Sequence, residues 1–176
     1  MARVTGVDAA AFRAALARFA SGVTVVSARA ADGSDHGMTV SAFTSLSLDP
    51  PLVLACIDRD ATLLPHVFAA ECFGVSILAA DQAEASVHFA RQDVVRFDGI
   101  PVERVDDGPA LLPGAAAQLV CRRTATHDGG DHVIVIGEVL SARVLRDDPL
   151  LYALRQYGRF VAGAPTNGVA GGESAP

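Results

Sequence analysis

A chain of 176 residues that is 51% hydrophobic and only 19% charged has the apolar content for one domain with a sizeable core, which argues against disorder. Its formal net charge of −6, with all 14 basic residues arginine and no dense basic patch, argues against a nucleic-acid partner, because neutralising a phosphate backbone needs such a patch. The longest apolar runs, Pro50 to Ile57 and Val133 to Ile136, are far shorter than a membrane-spanning helix, and no charged leader precedes an apolar stretch, so the cytoplasm is the expected location, with no membrane partner.

Asp8 can cap a first amphipathic helix from about Ala9 to Ala20, in which Phe12, Leu16 and Phe19 recur at helical spacing. Gly22 opens a β-rich run, Val23 to Ala28. The turn formers Ala31 to Asp35 follow, and His36 to Phe43 alternates as a half-buried strand does, so these two runs read as a hairpin. Pro50 and Pro51 introduce Leu52 to Ile57, apolar on both faces and so expected at the centre of a sheet or barrel. Asp60 or Thr62 can begin a short helix reaching Ala70, Cys72 to Leu78 reads as a strand, and Asp81 can cap a polar helix to about Arg91.

Ala115 to Thr126 and His132 to Val144 form a long predicted hairpin turning at Asp128-Gly129-Gly130. A short helix is expected from Pro149 to Tyr157, and residues 161–176, rich in Gly, Pro and Ala, read as a flexible tail behind one domain over 8–160. Cys56, Cys72 and Cys121 lie in apolar segments without metal-ligand spacing, so they read as buried free thiols and no metal site is expected. Many strands, few helices and hairpin connections make a closed or split β-barrel the natural architecture, since closure removes vulnerable sheet edges.

Three segments carry candidate chemistry. In Gly37 to Leu52, alternation puts Thr39 and Ser41 on one face, and Thr44, Ser45 and Ser47 follow close by. Five hydroxyls with exposed backbone amides suit a ring rich in carbonyl and nitrogen acceptors together with a phosphate; they equally suit a strand end that satisfies its own backbone. In Ile57 to Pro65, Arg59 stands where a strand hands over to a helix start and is the phosphate candidate, or else a surface arginine paired with Asp58 or Asp60. In Asp128 to Val139, His132 opens a strand, as a functional group or as a polar edge residue. No Gly-x-Gly-x-x-Gly follows a strand, so a dedicated Rossmann site is not expected. No nucleophile elbow and no histidine metal pair stands out either.

Together these segments resemble the short-chain flavin reductases, the reductase components of two-component flavin-dependent monooxygenases. The resemblance lies in Gly37-Met38-Thr39-Val40-Ser41-Ala42-Phe43-Thr44-Ser45-Leu46-Ser47-Leu48-Asp49-Pro50-Pro51-Leu52, in Gly130-Asp131-His132-Val133-Ile134-Val135-Ile136-Gly137-Glu138-Val139, and in Pro149-Leu150-Leu151-Tyr152 with Tyr157-Gly158-Arg159-Phe160. It implies a mainly β fold with flanking helices, a split β-barrel working as a homodimer with flavin at the subunit edge. It implies NAD(P)H-dependent reduction of free FAD or FMN by direct hydride transfer, NADH being favoured over NADPH, and a partner flavin-dependent oxygenase that takes the reduced flavin. A flavin-binding sensor of the same fold is the competing reading.

Carried over by position, the resemblance assigns Thr39, Val40, Ser41, Ala42, Thr44, Ser45, Leu46 and Ser47 to the flavin ring, ribityl chain and phosphate. Cys56, Ile57, Asp58, Arg59 and Thr62 continue along the phosphate or adenylate side. Phe89, Arg91 and Phe97 line the same cleft, while Tyr157 and the candidate catalytic residue His132 meet the nicotinamide nucleotide. One departure from the family pattern is that Asp58 and Asp60 flank Arg59, and Ala61 lacks a hydroxyl.

Overall fold

The computed structural model describes residues 6–91 and 97–163. Helix α1 spans Ala9–Leu16 and is capped as expected, the Asp8 carboxylate accepting from the backbone of Ala10 and Ala11 at 2.8 Å each. It ends earlier than Ala20, because tighter turns take over where Arg18 N donates to Ala15 O and Phe19 N to Leu16 O. There follow β1 Ser21–Gly22, β2 Thr24–Arg29, β3 Asp35–Val40, β4 Phe43–Leu48, β5 Pro51–Asp58, α2 Leu64–Ala69, β6 Cys72–Ile77 and α3 Ala83–Ala90. The chain ends in β7 Ala117–Gly129, β8 His132–Val144, β9 Leu150–Ala153 and β10 Gln156–Arg159. The tail from 164 to 176 lies outside the described residues.

Seven strands form an antiparallel sheet in the order β3-β2-β6-β7-β8-β5-β4, and β1, β9 and β10 form a second, small sheet. The fold is thus mainly β with few helices. The outer strands β3 and β4 are consecutive in the chain, joined only by Ser41 and Ala42. The sheet must therefore curl until its two edges approach each other, and β3 comes into contact with β5. No ladder joins β3 to β4 across that gap.

β2 has both faces buried, as its Val-rich sequence allows. Val26 and Ala28 face one core with Ile57, Phe73, Val75 and Val135, whereas Val23 and Val25 face a second with Leu78, Phe89 and Leu150. Helix α3 covers the second core, and α2 closes an end of the first with Leu64 and Val67. The connection before β7 lies over β2 and β6, where Ser27 Oγ donates to Ala110 O at 2.5 Å and Leu112 N donates to Ser76 Oγ at 2.9 Å. These bonds satisfy two fully buried hydroxyls.

Three expectations are corrected. Residues 149–157 form no helix: β9 and β10 make a hairpin whose turn residues Leu154 and Arg155 have φ of 51° and 62°. Along β9, Leu150 is buried in the second core, and Tyr152, on the same face two residues on, is 36% exposed. Asp81 is not the cap of α3, which starts after Gln82 without a side-chain cap; its carboxylate instead accepts two bonds of 2.9 Å from Arg146. The β7–β8 ladder runs on to pair Gly129 with His132, so the turn is Gly130-Asp131, with Gly130 at φ 78°.

Candidate functional site

Where the chain crosses from β3 to β4, Ser41 and Ala42 leave both ladders and are exposed, held to β5 by Cys56 N donating to Ala42 O at 2.9 Å. Strand alternation sends Val53, Ala55 and Ile57 into the core and turns Leu54 and Cys56 outward. These residues, with Phe43 and Thr44, form one side of a cleft of about 710 Å³. The opposite side comes from the end of α1 (Leu16 and Phe19), from Ser21 and Gly22, and from the β9–β10 hairpin with Tyr152 and Arg155. The walls are mostly apolar, with the hydroxyls of Ser21, Ser41 and Thr44 on them. Among the described residues Arg155 is the one charged side chain lining the cleft. Such a space suits a flat, largely apolar ring with a polar edge, and its lining, among the described residues, offers no carboxylate or imidazole for proton transfer.

The sequence candidates fall into three places. Ser41, Ala42, Thr44 and Cys56 meet at the cleft. Ser45, Leu46 and Ser47 continue along the open edge strand β4, whose pairing with β5 shifts register between Ser45 and Ser47. Val40 is buried, its carbonyl accepting from Thr24 Oγ1 at 2.7 Å, and Ile57 is a core residue that offers a ligand only its backbone.

A second group gathers on α3. Thr39 Oγ1 donates to Ser86 O at 2.7 Å, and the Tyr157 hydroxyl donates to Ser86 Oγ at 2.9 Å, so the buried Ser86 brackets β3 and β10 together. Tyr157 in turn packs its ring on Tyr152, with 5.2 Å between centroids. Phe89 is 1% exposed in the second core, and Phe97 packs against it at 4.9 Å, so both lie under β3 rather than in the 710 Å³ cleft. A Cβ on Gly37 would come within 2.8 Å of the Phe97 ring, so that packing needs a glycine. Arg91 is exposed just past the end of α3.

The third group sits at the β7–β8 turn. Arg59 Nε donates to Gly130 O at 2.7 Å, and its guanidinium pairs with Asp128, not with Asp58 or Asp60. Asp58 instead accepts from Asp60 N at 2.8 Å, and Thr62 is exposed before α2. His132 Nδ1 lies 2.7 Å from Asp131 Oδ1, and that contact holds the Asp131 carboxyl below its ordinary range. In the β5–β8 ladder His132 stands opposite Asp58, and Ile134 opposite Cys56. His132 is therefore one pleat beyond the cleft on the same outward face, about 7 Å along the strand.

Phe19, Ser21 and Arg155 were missed by sequence reasoning. A Phe in a helical pattern and a Ser before a strand carry no signal of their own, and Arg155 was hidden by the helical reading of its segment. Tyr152 belonged to a recognised motif without an assigned role.

The pattern of the flavin reductase like domain matches residues 16–160. The chain is 43% identical over 155 residues to an NADH-dependent FMN reductase of Agrobacterium fabrum, covering 88% of each protein. It is 45% identical over 152 residues to the reductase component of 4-hydroxyphenylacetate 3-monooxygenase of Thermus thermophilus, covering 86% of this chain and 96% of that one. An NADH:FAD oxidoreductase of Streptomyces globisporus, solved in complex with NAD and FAD fragments, superposes with a TM-score of 0.82 at 37% identity over 91% of this chain and 95% of its own. A curled antiparallel sheet with its cleft at the β3–β4 link, matched in sequence and shape across nearly the whole chain, belongs to the flavin reductase family.

Proposed function

We propose that this protein reduces free FAD or FMN with NADH and releases the reduced flavin to a flavin-dependent monooxygenase. The observation that carries the reading is the cleft itself: apolar walls for a flat ring, hydroxyls of Ser21, Ser41 and Thr44 on them, and, among the described residues, no carboxylate or imidazole in its lining. Bound flavin supplies the hydride acceptor and the nicotinamide the donor. The chain's share is orientation: stacking two rings at near-contact distance needs walls more than proton transfer. Relatives named as monooxygenase reductase components support the oxygenase partner.

In this reading Ser41, Ala42, Thr44 and Cys56 hold the flavin ring side, and Ser45 to Ser47 with Asp58, Arg59 and Thr62 continue towards phosphate or adenylate. His132 and Tyr157 approach the nicotinamide nucleotide. The curled sheet acts as a split barrel completed in a homodimer. Exposed Leu46, Leu48, Leu140 and Val144 on β4 and β8 are the apolar surface a second copy would cover. Static light scattering at micromolar concentration is expected to return twice the chain mass; a monomer would remove the dimer from this account.

The direct test mixes protein, FAD or FMN, and NADH under argon. Oxidised-flavin absorbance is expected to bleach catalytically, faster with NADH than with NADPH. Flavin that binds but stays oxidised in the presence of either donor would refute reductase activity.

A further inference from the structure

We infer that Arg155 is a phosphate-binding residue of the cleft, gripping the phosphate of a nucleotide bound there; this rests on the proposed function. Two independent observations meet at this side chain. The first is electrostatic. Among the described residues Arg155 makes no hydrogen bond and no ion pair, and it lines a cleft that has no other charge, whereas Arg59, Arg104, Arg122 and Arg146 are each tied to a carboxylate. An unpaired guanidinium that shares a cleft with the hydroxyls of Ser21, Ser41 and Thr44 is chemistry suited to an anion, and its planar fork matches phosphate oxygens.

The second is conformational. Arg155 sits in the two-residue turn of the β9–β10 hairpin at φ 62°, a left-handed conformation that favours glycine or asparagine. The turn is held in place by Leu154 N donating to Ala17 O at 2.6 Å, which docks it on the end of α1 across the cleft mouth. A glycine would relieve the backbone and break no hydrogen bond or ion pair of the side chain among the described residues. A long cation kept at an unfavourable φ on the rim of a binding space is the kind of local strain that accompanies function.

Two phosphates can reach this cleft, that of the flavin and that of the dinucleotide donor, and the test separates them. Dissociation constants for FMN, riboflavin and ADP-ribose are measured calorimetrically on the intact protein and on Arg155→Gly, Arg155→Gln and Arg155→Lys. Arg155→Gly is expected to keep or raise the Tm, because glycine suits the turn, which guards against loss of fold. If the flavin phosphate is the target, FMN affinity falls about tenfold or more in Arg155→Gly and Arg155→Gln, the loss of a charge-assisted bond, while riboflavin is unchanged. If the dinucleotide phosphate is the target, ADP-ribose loses affinity instead and both flavins bind as before. Arg155→Lys retains part of the affinity in either case. Unchanged binding of all three ligands in well-folded variants overturns the assignment while leaving the proposed function intact. A native protein that binds neither flavin nor ADP-ribose overturns both.

Discussion

Gly137 of β8 lies beneath the Phe73 ring, and a Cβ built there would collide with the ring edge and lie 2.9 Å from Cys121 Cβ. Phe73 is 1% exposed in the main core and has nowhere to retreat. Gly137→Ala is therefore expected to lower stability by about 1–3 kcal/mol, the range for overpacking, read as a lower urea midpoint at unchanged m-value.

Cys121, beside Gly137, is buried, and burial pushes its thiol from 9.0 up to about 12. A folded pKa above the unfolded one means the unfolded chain releases its proton first as pH rises. Stability is then unaffected below pH 9 and is lost between pH 9 and about 12, approaching 1.4 kcal/mol per pH unit where only the unfolded thiol is ionised. Cys72, whose thiol burial also raises, and the two tyrosines ionise over the same range, so the share of Cys121 is read as the difference in slope between the parent protein and a variant without this thiol. Cys121→Ala is expected to flatten the fall of Tm with pH above 9; an unaltered slope would refute the assignment to this thiol.

His132 is one of the residues at which the sequence left two readings open. Its partial exposure and its place one pleat beyond Cys56 on the outward face fit the nucleotide-contact proposal, while its bond to Asp131 fits an edge residue as well. A lost hydrogen bond of about 0.5–1.5 kcal/mol makes His132→Ala raise the KM for NADH a few-fold to about tenfold, with flavin affinity nearly unchanged. Wild-type steady-state kinetics in that variant would remove His132 from the site.

At the scale of elements, the β9–β10 hairpin is fastened through Ser86, which takes one bond from Tyr157 and one, through its carbonyl, from Thr39. Tyr157→Phe and Ser86→Ala remove the same hydroxyl pair from opposite ends. A double-mutant cycle in denaturant is expected to give a coupling energy of about 0.5–1.5 kcal/mol, as for one buried hydrogen bond. Additive effects would show that the pair does not fasten the hairpin. Elements with strong local signals were legible: the Asp8 cap, the β2–β3 hairpin with its turn-rich loop, and the long β7–β8 pair. The β9–β10 hairpin was not, because Leu154 and Arg155 give no turn signal, and the bond that fastens their turn, from Leu154 N to Ala17 O, comes from a distant segment. Asp81 was misread for a related reason: an acidic residue before a helix looks like a cap, and nothing local says that Arg146, far along the chain, claims it.

For the whole molecule, hydrophobic alternation made the β-rich class legible, but register and strand order depend on pairings between distant segments. The sequence placed Leu52 to Ile57 at the centre of a sheet; β5 is second from an edge, and its outward face is apolar because it floors the cleft. Of the residues grouped at Gly37 to Leu52, those at the strand break reached the cleft, while Thr39 was drawn to α3.

The Ser41-Ala42 link can also be seen as a tether between the free margins of one sheet. Three peptide steps of about 3.8 Å hold the Cα atoms of Val40 and Phe43 within roughly 11 Å however the ladders breathe. A margin so confined leaves little room for an intruding strand at the link, and the protection fades with distance from it. The apolar side chains of β4 follow that gradient: Phe43 beside the tether is half-buried, Leu46 is 47% exposed and Leu48, farthest away, is 93% exposed. In a single copy the far end of β4 is thus the place where unwanted strand addition would begin, and the Pro50-Pro51 pair just beyond it has no backbone N–H to offer a newcomer.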